Sequence, residues 1–387
     1  TLTGDWAPIR AYEPPMARTP PAAYGDLLPT LTESDLNIVN LECVLGERGV
    51  PIPKAGPALR GPEAALGALT CVPFHVAALA NNHSMDYGPE SLAHTLALLQ
   101  GVGVRTVGAG NTAAEAACPL RLDPPGGPRL GILNYAEAEA CASLFGGPGA
   151  NVYEAERAED EVAALRREVE AVVVIFHGGR EHAAMPPPYV VRTLRRLARA
   201  GASAVIAHHP HVAQGVEVYE GVPIAYSLGN FLFDPQSEVY ALRSGYLAHL
   251  DFEGPRLVAA ALTPYRLGAA GVHRMPPGEE RGFRAHLARL SRLLEDPAAV
   301  EAVWCAFIDT FGNAPAGLLA QLERGLREYA ENPLSGAARL HHYFFSPAHR
   351  EYFRHGFARL ARGRFGDSPA WARELAIETR TRTAPFA

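Results

Sequence analysis

Residues 207–231, AHHPHVAQGVEVYEGVPIAYSLGNF, decide the fold because they show how a strand of this chain ends. The apolar run at 202–207 precedes them and predicts a buried strand. Pro210 stops that strand and stiffens the turn. His209 and His211, with one residue between them, can direct both imidazoles at one point, and neutral imidazole commonly binds divalent metals. The alternative is a polar surface turn, so the other strand ends must be compared.

The same order, an apolar strand followed by polar side chains, occurs at four earlier places in the chain. The predicted strands and their polar residues are 2–3 with Asp5, 36–43 with Glu42, 74–80 with Asn81, Asn82 and His83, and 171–176 with His177. Strand ends in α/β proteins lie along one edge, where ligands bind, so these side chains are expected to converge. Taken singly, each has a plain alternative, such as a turn aspartate or an asparagine that caps the helix at 89–99.

Composition describes a globular protein with a large core. The chain has 387 residues, 48% of them hydrophobic, and a formal net charge of −6, which argues against a general nucleic-acid binder. No apolar run reaches the ~18–20 residues needed to span a bilayer, so no membrane partner is expected. No signal peptide is visible, and we expect a cytoplasmic protein; the alternative is export with the signal removed.

The five cysteines are scattered and show no CxxC spacing. We expect buried free thiols in a reducing compartment. The Gly/Pro-rich segment 46–62 is expected to be a loop that covers the sheet edge, and it contains Lys54, the only lysine.

The pattern divides the chain into two domains, 1–270 and 276–387. Strands and helices alternate through the first, which closes with a predicted hairpin, 247–252 and 257–262. The second is predicted to be a helical extension, with helices near 279–294, 298–311, 318–331 and 349–362 and prolines between them. Its arginines, for example Arg350, Arg354, Arg359 and Arg362, either form a solvated face with glutamate partners or contact an acidic substrate or the main domain.

The mixture of side chains at the strand ends indicates the kind of metal site. Carboxylate, amide and imidazole donors suit a pair of divalent ions bridged by a carboxylate better than structural zinc, which prefers thiolates. Two ions ~3.5–4 Å apart can activate a water and stabilise the attacking and leaving oxygens.

The motifs of the chain resemble, in order, those of the bacterial capsule-synthesis protein family (CapA, poly-γ-glutamate synthesis type). They are NLE (40–42), ANNHSMDYG (80–88), GAGN (108–111), HGGRE (177–181), HHPHVAQ (208–214) and YSLGNF (226–231). The resemblance covers roughly residues 1–265. That family is similar to the calcineurin-like metallophosphatases, which implies an α/β fold, the four-layer αββα sandwich with a dinuclear metal centre.

The resemblance implies a role for each matching residue. The implied metal ligands are Asp5, Glu42, Asn82, His177, His209 and His211. His83 matches the histidine that acts on the leaving group. Residues implied in substrate binding or in support of the ligands are Asn81, Arg180, Glu181, His208 and Asn230. The chain departs from the pattern at Ala7, where metallophosphatases usually have a histidine ligand, and at Gly178, where capsule-family members often have tryptophan.

We therefore expect a metal-dependent hydrolase, or an acyl or phosphoryl transferase. A metal-bound hydroxide would attack an anionic γ-glutamyl-type peptide or a phosphoester, and the residues do not choose between amide and phosphoester. Two ions of manganese, iron or zinc are expected. The alternative, motivated by Ala7, is a non-catalytic binding or assembly factor with a vestigial or structural metal site.

Overall fold

A computed structural model describes residues 1–142, 146–233, 236–311 and 314–386, with the backbone alone at 314–316. The strands in chain order are β1 (Leu2–Trp6), β2 (Asn37–Leu41), β3 (Val44–Leu45), β4 (Arg60–Gly61), β5 (Phe74–Ala78), β6 (Arg105–Val107), β7 (Ala109–Gly110), β8 (Leu120–Leu122), β9 (Leu130–Ala136), β10 (Gly149–Ala150), β11 (Ala171–His177), β12 (Ala204–His208), β13 (Val216–Tyr219), β14 (Val222–Ala225), β15 (Asn230–Leu232), β16 (Ser244–Glu253), β17 (Arg256–Leu267) and β18 (Val272–Arg274).

The α-helices are α1 (Glu13–Arg18), α2 (Leu28–Thr32), α3 (Leu66–Thr70), α4 (Gly88–Gly101), α5 (Ala113–Ala117), α6 (Ala155–Glu168), α7 (Pro188–Arg199), α8 (Pro277–Leu294), α9 (Pro297–Phe311), α10 (Ala314–Glu331), α11 (Pro333–Phe345), α12 (Pro347–Ala361) and α13 (Ala370–Thr381). Short 3₁₀ segments, among them Arg10–Tyr12 and Pro20–Leu27, flank the first two helices.

The strands form two large mixed sheets. The first has the order β18-β17-β16-β1-β2-β5-β6, with β15 also paired to β1. The second has the order β13-β14-β12-β11-β9-β8. Both are parallel at their centres, β1-β2-β5-β6 and β9-β11-β12-β14, and antiparallel at their flanks. The predicted hairpin is confirmed as β16 and β17, and both strands are longer than expected.

The alternation of side chains along each strand creates the layers. In β11, Val173 and Ile175 belong to the apolar core shared with the first sheet, whereas Val172, Val174 and Phe176 pack against helices on the outer face. Strand residues with a period of two line opposite faces, so a wholly apolar strand must be covered on both sides. The outer face of the first sheet is covered in turn by α1, α2, α3 and α4. The predicted four-layer αββα sandwich is confirmed.

The predicted C-terminal helical extension is also confirmed, as α8 to α13. Residues of α8, α9 and α13 complete the core on the outer face of the second sheet, and Trp304, Phe307, Tyr343 and Tyr352 form a further core among the helices. Two helices were missed, α11 and α13. Two of the prolines predicted to separate helices, Pro333 and Pro347, are instead the first residues of α11 and α12. At the first position of a helix the N–H has no partner within the helix, so its absence in proline costs nothing. For α13 a signal existed, since its buried residues 372, 375, 376 and 379 have helical spacing.

The cysteine expectation is only partly confirmed. All five thiols are free, but Cys118 is exposed and Cys71 is half-buried. Among the described helices, none is long and apolar enough to cross a membrane.

Candidate metal centre

The polar residues that follow the central strands meet at one edge between the two sheets. Glu42 directly follows β2, and His177 and His208 are the last residues of β11 and β12. Asp5 lies inside β1, not after it as predicted, because the strand continues to Trp6 and pairs Asp5 with Asn40 and Asn230. Convergence at the strand ends is therefore what the parallel pairing of these strands produces.

Two groups of three buried side chains could each hold a metal ion, and Glu42 belongs to both. The first group is Glu42, His177 and His209; the second is Asp5, Glu42 and His211. Within each group, one donor atom from every residue lies within 4.8 Å of the others. A carboxylate common to two donor groups is the arrangement that a bridged pair of ions requires.

The first group is tightly convergent. Three donor atoms surround His177 Nε2: Asn82 Oδ1 at 2.9 Å, His209 Nδ1 at 3.2 Å and Glu42 Oε1 at 3.4 Å. Ligand atoms bound to one ion at ~2.0–2.2 Å are about 3.0–3.4 Å from each other, so these spacings fit a single cation. Burial, reinforced by the neighbouring His209, holds the pKa of His177 well below its usual value, so the ring is neutral and able to bind a metal.

In the second group, His211 lies between two carboxylates. Its Nδ1 is 3.1 Å from Asp5 Oδ2 and its Nε2 is 3.7 Å from Glu42 Oε1. Burial alone would lower the pKa of His211, but Glu42 and Asp5 outweigh it and raise the pKa to about 10. Burial would likewise raise the pKa of Asp5, yet its contacts with His208 and His211 hold it well below the usual range. A positive charge is thus strongly favoured beside these carboxylates.

Glu42 provides the test of whether these residues fit a metal. Its side chain is fully buried, and among the described residues neither carboxylate oxygen accepts a hydrogen bond. Burial and the nearby charge of Asp5 raise the pKa of Glu42 well above its usual value. An unpartnered buried carboxylate is costly, and a cation that both oxygens could coordinate would remove this cost. The donor set fits manganese, iron or zinc ions.

The histidine loop after β12 is held in an unusual backbone conformation. His209 has φ 100° and His211 has φ 59°, in the left-handed region that side chains other than glycine rarely adopt. Such residues persist only where surrounding contacts fix them, and they cluster at functional sites. Here the conformation turns both imidazoles toward the same edge.

His83 lies beside the first group and is held by a second carboxylate. Its Nδ1 donates to Asp86 Oδ2 at 2.6 Å, and the backbone N–H of Leu59 donates to the same oxygen at 2.6 Å. Lys54 forms an ion pair with the other oxygen of Asp86 and donates to the carbonyl of Asn82 at 3.0 Å. Burial, and next the charge of Lys54, lower the pKa of His83.

Other predicted residues support the ligands. Asn81 donates to the carbonyl of Leu41 at 2.8 Å and accepts from the backbone N–H of His83 at 3.1 Å, so it shapes the turn. Asn230 Oδ1 lies 2.9 Å from His211 Nδ1. His208 Nδ1 lies 3.3 Å from Asp5 Oδ1.

The metal-binding edge opens into a cavity of about 600 Å³ that the helical extension closes on one side. Asn82, His83 and His209 line its floor, and the predicted residues Arg180 and Glu181 line its wall. Residues of α10 to α13 form the opposite wall: Gln321, Arg324, Arg339, His342, Tyr343, Ala348, His349, Tyr352 and Arg380. The extension is anchored at this rim, because Arg180 Nη1 lies 2.7 Å from His349 Nε2 and Ser346 Oγ donates to Glu139 at 3.2 Å.

Sequence reasoning missed several residues of this region. Asn40, which donates to Asp5 Oδ1 at 2.8 Å, stands in the same motif as Glu42 and could have been found from it. Lys54 could not, because nothing in the loop sequence shows which residue turns inward. Of the arginines singled out in the extension, Arg354 is exposed and pairs with Glu351, as the solvated-face alternative describes. Arg359 differs, because it is largely buried and pairs with Asp309 of α9 and with Asp367.

The fold and this site define a four-layer α/β sandwich protein with a candidate metal centre. The family model described as "Bacterial capsule synthesis protein PGA_cap" matches residues 1–235, so the chain belongs to this family. The matched region ends before α8, and the helical extension lies outside it.

Three relatives place the chain within the family. The "PGA biosynthesis protein CapA" of Bacillus subtilis is 32% identical over 42% of this chain and 43% of its own length. The "Capsule biosynthesis protein CapA" of Bacillus anthracis is 31% identical over 42% of this chain and 40% of its own length. A "Probable polyglutamine synthesis accessory protein" of Mycobacterium tuberculosis is 29% identical over 70% of this chain and 76% of its own length. The chain thus spans less than half the length of the two Bacillus proteins.

Proposed function

We propose that this protein is a metal-dependent hydrolase, or an acyl or phosphoryl transferase, that acts on an anionic γ-glutamyl-type peptide or a phosphoester. The observation that carries the proposal is Glu42, a buried carboxylate that belongs to two donor groups and accepts no hydrogen bond from the part of the chain that the structure describes. The cavity beside it contains a histidine held by a carboxylate, as acid–base chemistry requires.

Two ions would be held by the two donor groups. Glu42, Asn82, His177 and His209 would hold one, and Asp5, Glu42 and His211 the other. When bound, such a pair supplies a nucleophile from water near neutral pH and stabilises charge on the attacking and leaving oxygens.

The residues of the chain would supply orientation and proton transfer. Asp86 accepts from His83 Nδ1, so it orients the ring and favours its doubly protonated form against the opposing effect of burial. That form would give its Nε2 proton to a leaving group in the cavity, which leaves the ring neutral with its Nδ1 proton still donated to Asp86. Lys54 fixes Asp86 and the carbonyl of Asn82 together, and therefore holds the general acid and a metal ligand in one unit.

The wall of the cavity supports an anionic substrate. Lys54, Arg180, Arg324, Arg339 and Arg380 face it, against two carboxylates, Glu139 and Glu181. Lys54 and Arg339 are paired with Asp86 and Glu328, which leaves three cations against the two carboxylates. Burial raises the pKa of Glu139, which reduces its opposing charge. The excess of cations favours carboxylate or phosphate groups.

The test has two parts, metal content and turnover. Protein purified without chelators should contain about two equivalents of manganese, iron or zinc by elemental analysis. The metal-loaded protein is then screened on phosphoesters and γ-glutamyl peptides, together with Asn82→Ala and His209→Ala. Loss of turnover in both variants supports the proposal, whereas unchanged turnover on a genuine substrate contradicts it.

A second candidate is a non-catalytic accessory factor in which the metal centre is structural. Two observations favour it: Ala7 stands where metallophosphatases usually have a histidine ligand, and the mycobacterial relative is named an accessory protein. Full metal loading with no turnover on either class of substrate, and with partner binding intact in His83→Asn, would favour this candidate.

A further inference from the structure

Three arginines of the cavity have no carboxylate partner. Among the described residues, no carboxylate oxygen lies within 4.0 Å of Arg180, Arg324 or Arg380, although most other arginines of the extension form such pairs. Arg339, for example, lines the same cavity but is paired with Glu328. Arg180 and Arg380 are half-buried, whereas Arg324 is exposed at the mouth of the cavity. Half-buried cations usually have a partner, so two unpaired ones facing one cavity need an explanation.

Arg180 is fixed in place but only partly hydrogen-bonded. Its Nη1 donates to His349 Nε2 at 2.7 Å, and its guanidinium lies 5.5 Å from the ring centre of Tyr352 and 5.7 Å from that of Phe307. Its Nε is buried and has no acceptor among the described residues. The group is therefore pre-positioned with an unused donor, and an arginine fork suits two oxygens of one carboxylate or phosphate.

Arg380, at the end of α13, faces the same space. Its guanidinium lies 4.1 Å from the ring centre of Phe311, a contact that orients it without neutralising it. Burial, followed by the charge of Arg180, lowers the pKa of Arg380, so the two guanidinium groups repel each other. An anion between them would relieve both the repulsion and the desolvation.

We propose that Arg180, Arg324 and Arg380 bind a second anionic group of the substrate, a carboxylate or a phosphate, while the reacting group lies at the metal centre. This inference rests on the proposed function, which places the reacting group of the substrate at the metal centre. It deepens that function by naming the substrate class. The substrate carries a negative group that is separated from its reacting group, and it fits a cavity of about 600 Å³. Two of the three arginines belong to the helical extension, so the extension acts as a specificity element.

The carboxylates of the cavity do not occupy this position. Glu139 is committed to the rim, where it accepts from Ser346 and lies 3.9 Å from His342 Nδ1. Glu181 lies near His209, His211 and Arg180, whose charges outweigh the effect of burial and lower its pKa to about 2. It is therefore a negative charge in the lining of the cavity, and no ion pair joins it to Arg180, Arg324 or Arg380 among the described residues.

The experiment measures binding of two probes, pyrophosphate and the dipeptide γ-glutamyl-glutamate, by isothermal titration calorimetry. The full chain is used with metal loaded and after chelator treatment, at low salt. Arg380→Gln should weaken binding of at least one probe by about tenfold or more in both states, because a charged hydrogen bond is lost. Arg380→Lys keeps the charge but not the forked guanidinium, so its affinity for the probe should lie between those of the wild type and Arg380→Gln. Arg362→Gln, exposed on the extension and outside the cavity, is the matched control.

The outcomes distinguish a phosphate subsite from a carboxylate subsite, and either of them from the absence of a subsite. A selective loss for pyrophosphate assigns the subsite to phosphate, and a selective loss for the dipeptide assigns it to carboxylate. Equal affinity in Arg380→Gln and wild type, or no binding of either probe at about 10 mM, overturns the inference, given that thermal melts show Arg380→Gln folded like Arg362→Gln. If the proposed catalysis alone is wrong, turnover is absent but the dependence of anion binding on Arg380 remains.

Discussion

Glu42→Gln tests the metal centre most directly, since it removes one negative charge from both donor groups with almost no change in shape. In the wild type, each ion should stabilise the folded chain by about 2.7 kcal/mol at a free metal concentration 100 times its Kd, or about 5 kcal/mol for two. Removing a residue that hydrogen-bonds to a metal ligand typically lowers metal affinity 10–100-fold. Because Glu42 is itself a shared ligand, we assume a loss of affinity of ~100-fold for Glu42→Gln. At the same metal concentration, the variant would gain only about 0.4 kcal/mol per ion.

The metal-free proteins provide the internal reference. Burial favours the protonated acid at Glu42, as its raised pKa indicates, and glutamine resembles that acid in size and neutrality. We therefore expect the metal-free variant to unfold within about 1 kcal/mol of the metal-free wild type. The difference in the free energy of unfolding between Glu42→Gln and the wild type should therefore arise almost entirely when metal is added.

The assay is urea unfolding with and without added metal, combined with elemental analysis. Glu137→Gln is the matched control, because Glu137 is also a buried carboxylate with a raised pKa, about 8, and belongs to neither donor group. It should keep the full metal-dependent stabilisation. Two equivalents of tightly bound metal in Glu42→Gln, or an equal loss in both variants, would refute the assignment of Glu42 as a shared ligand.

Three further predictions concern acid–base chemistry, backbone packing and pH. His83→Asn should lower turnover by about 10²–10⁴-fold and leave metal content unchanged, since His83 is in neither donor group; parallel loss of metal contradicts its role as the acid. Gly4→Ala would place a Cβ 2.0 Å from the carbonyl oxygen of Gly229, so β1 and β15 must separate. We expect the free energy of unfolding, measured by chemical denaturation, to fall by ~2 kcal/mol or more. Gly101→Ala should change it hardly at all, because the added Cβ meets nothing within 4 Å. Burial, followed by the charge of Arg289, lowers the pKa of His286 to about 4, so its contribution to stability is complete above pH 6.5 and is lost as the pH falls toward 4. His286→Phe, which keeps the stack on Phe386, should flatten this part of the pH–stability curve by up to about 3 kcal/mol, and identical slopes for wild type and variant would contradict this account.

Much of the metal centre could be predicted because its residues follow apolar strands directly. The buried strands β11 and β12 are apolar up to their final histidines, and β2 is apolar except for Asn37 and Asn40. Parallel pairing leaves the ends of these strands at one edge whatever the details of the helices. Errors remained small there: the strand containing Asp5 is longer than predicted, and Asn40 was left out of the site.

Prediction failed where residues distant in the sequence form one surface. Lys54 comes from a loop without periodicity, and its contact with Asp86 depends on how that loop folds back over the turn at Asn81–His83. The two missed helices have a different cause, because their signals were local: α11 starts at a proline that was interpreted as a breaker, and the helical spacing of the buried residues of α13 was overlooked.

The sequence by itself determined the layered α/β fold, the helical extension and the polar residues at the strand ends that are candidates for metal binding, because strand periodicity and polar strand ends are local patterns. Only the tertiary structure decided that Glu42 is common to two donor groups, and that Arg180 and Arg380, 200 positions apart in the chain, face one cavity. The physical reason is that burial and electrostatic coupling depend on distances between elements. These distances are set by how the two sheets and the extension pack, and no local pattern contains them.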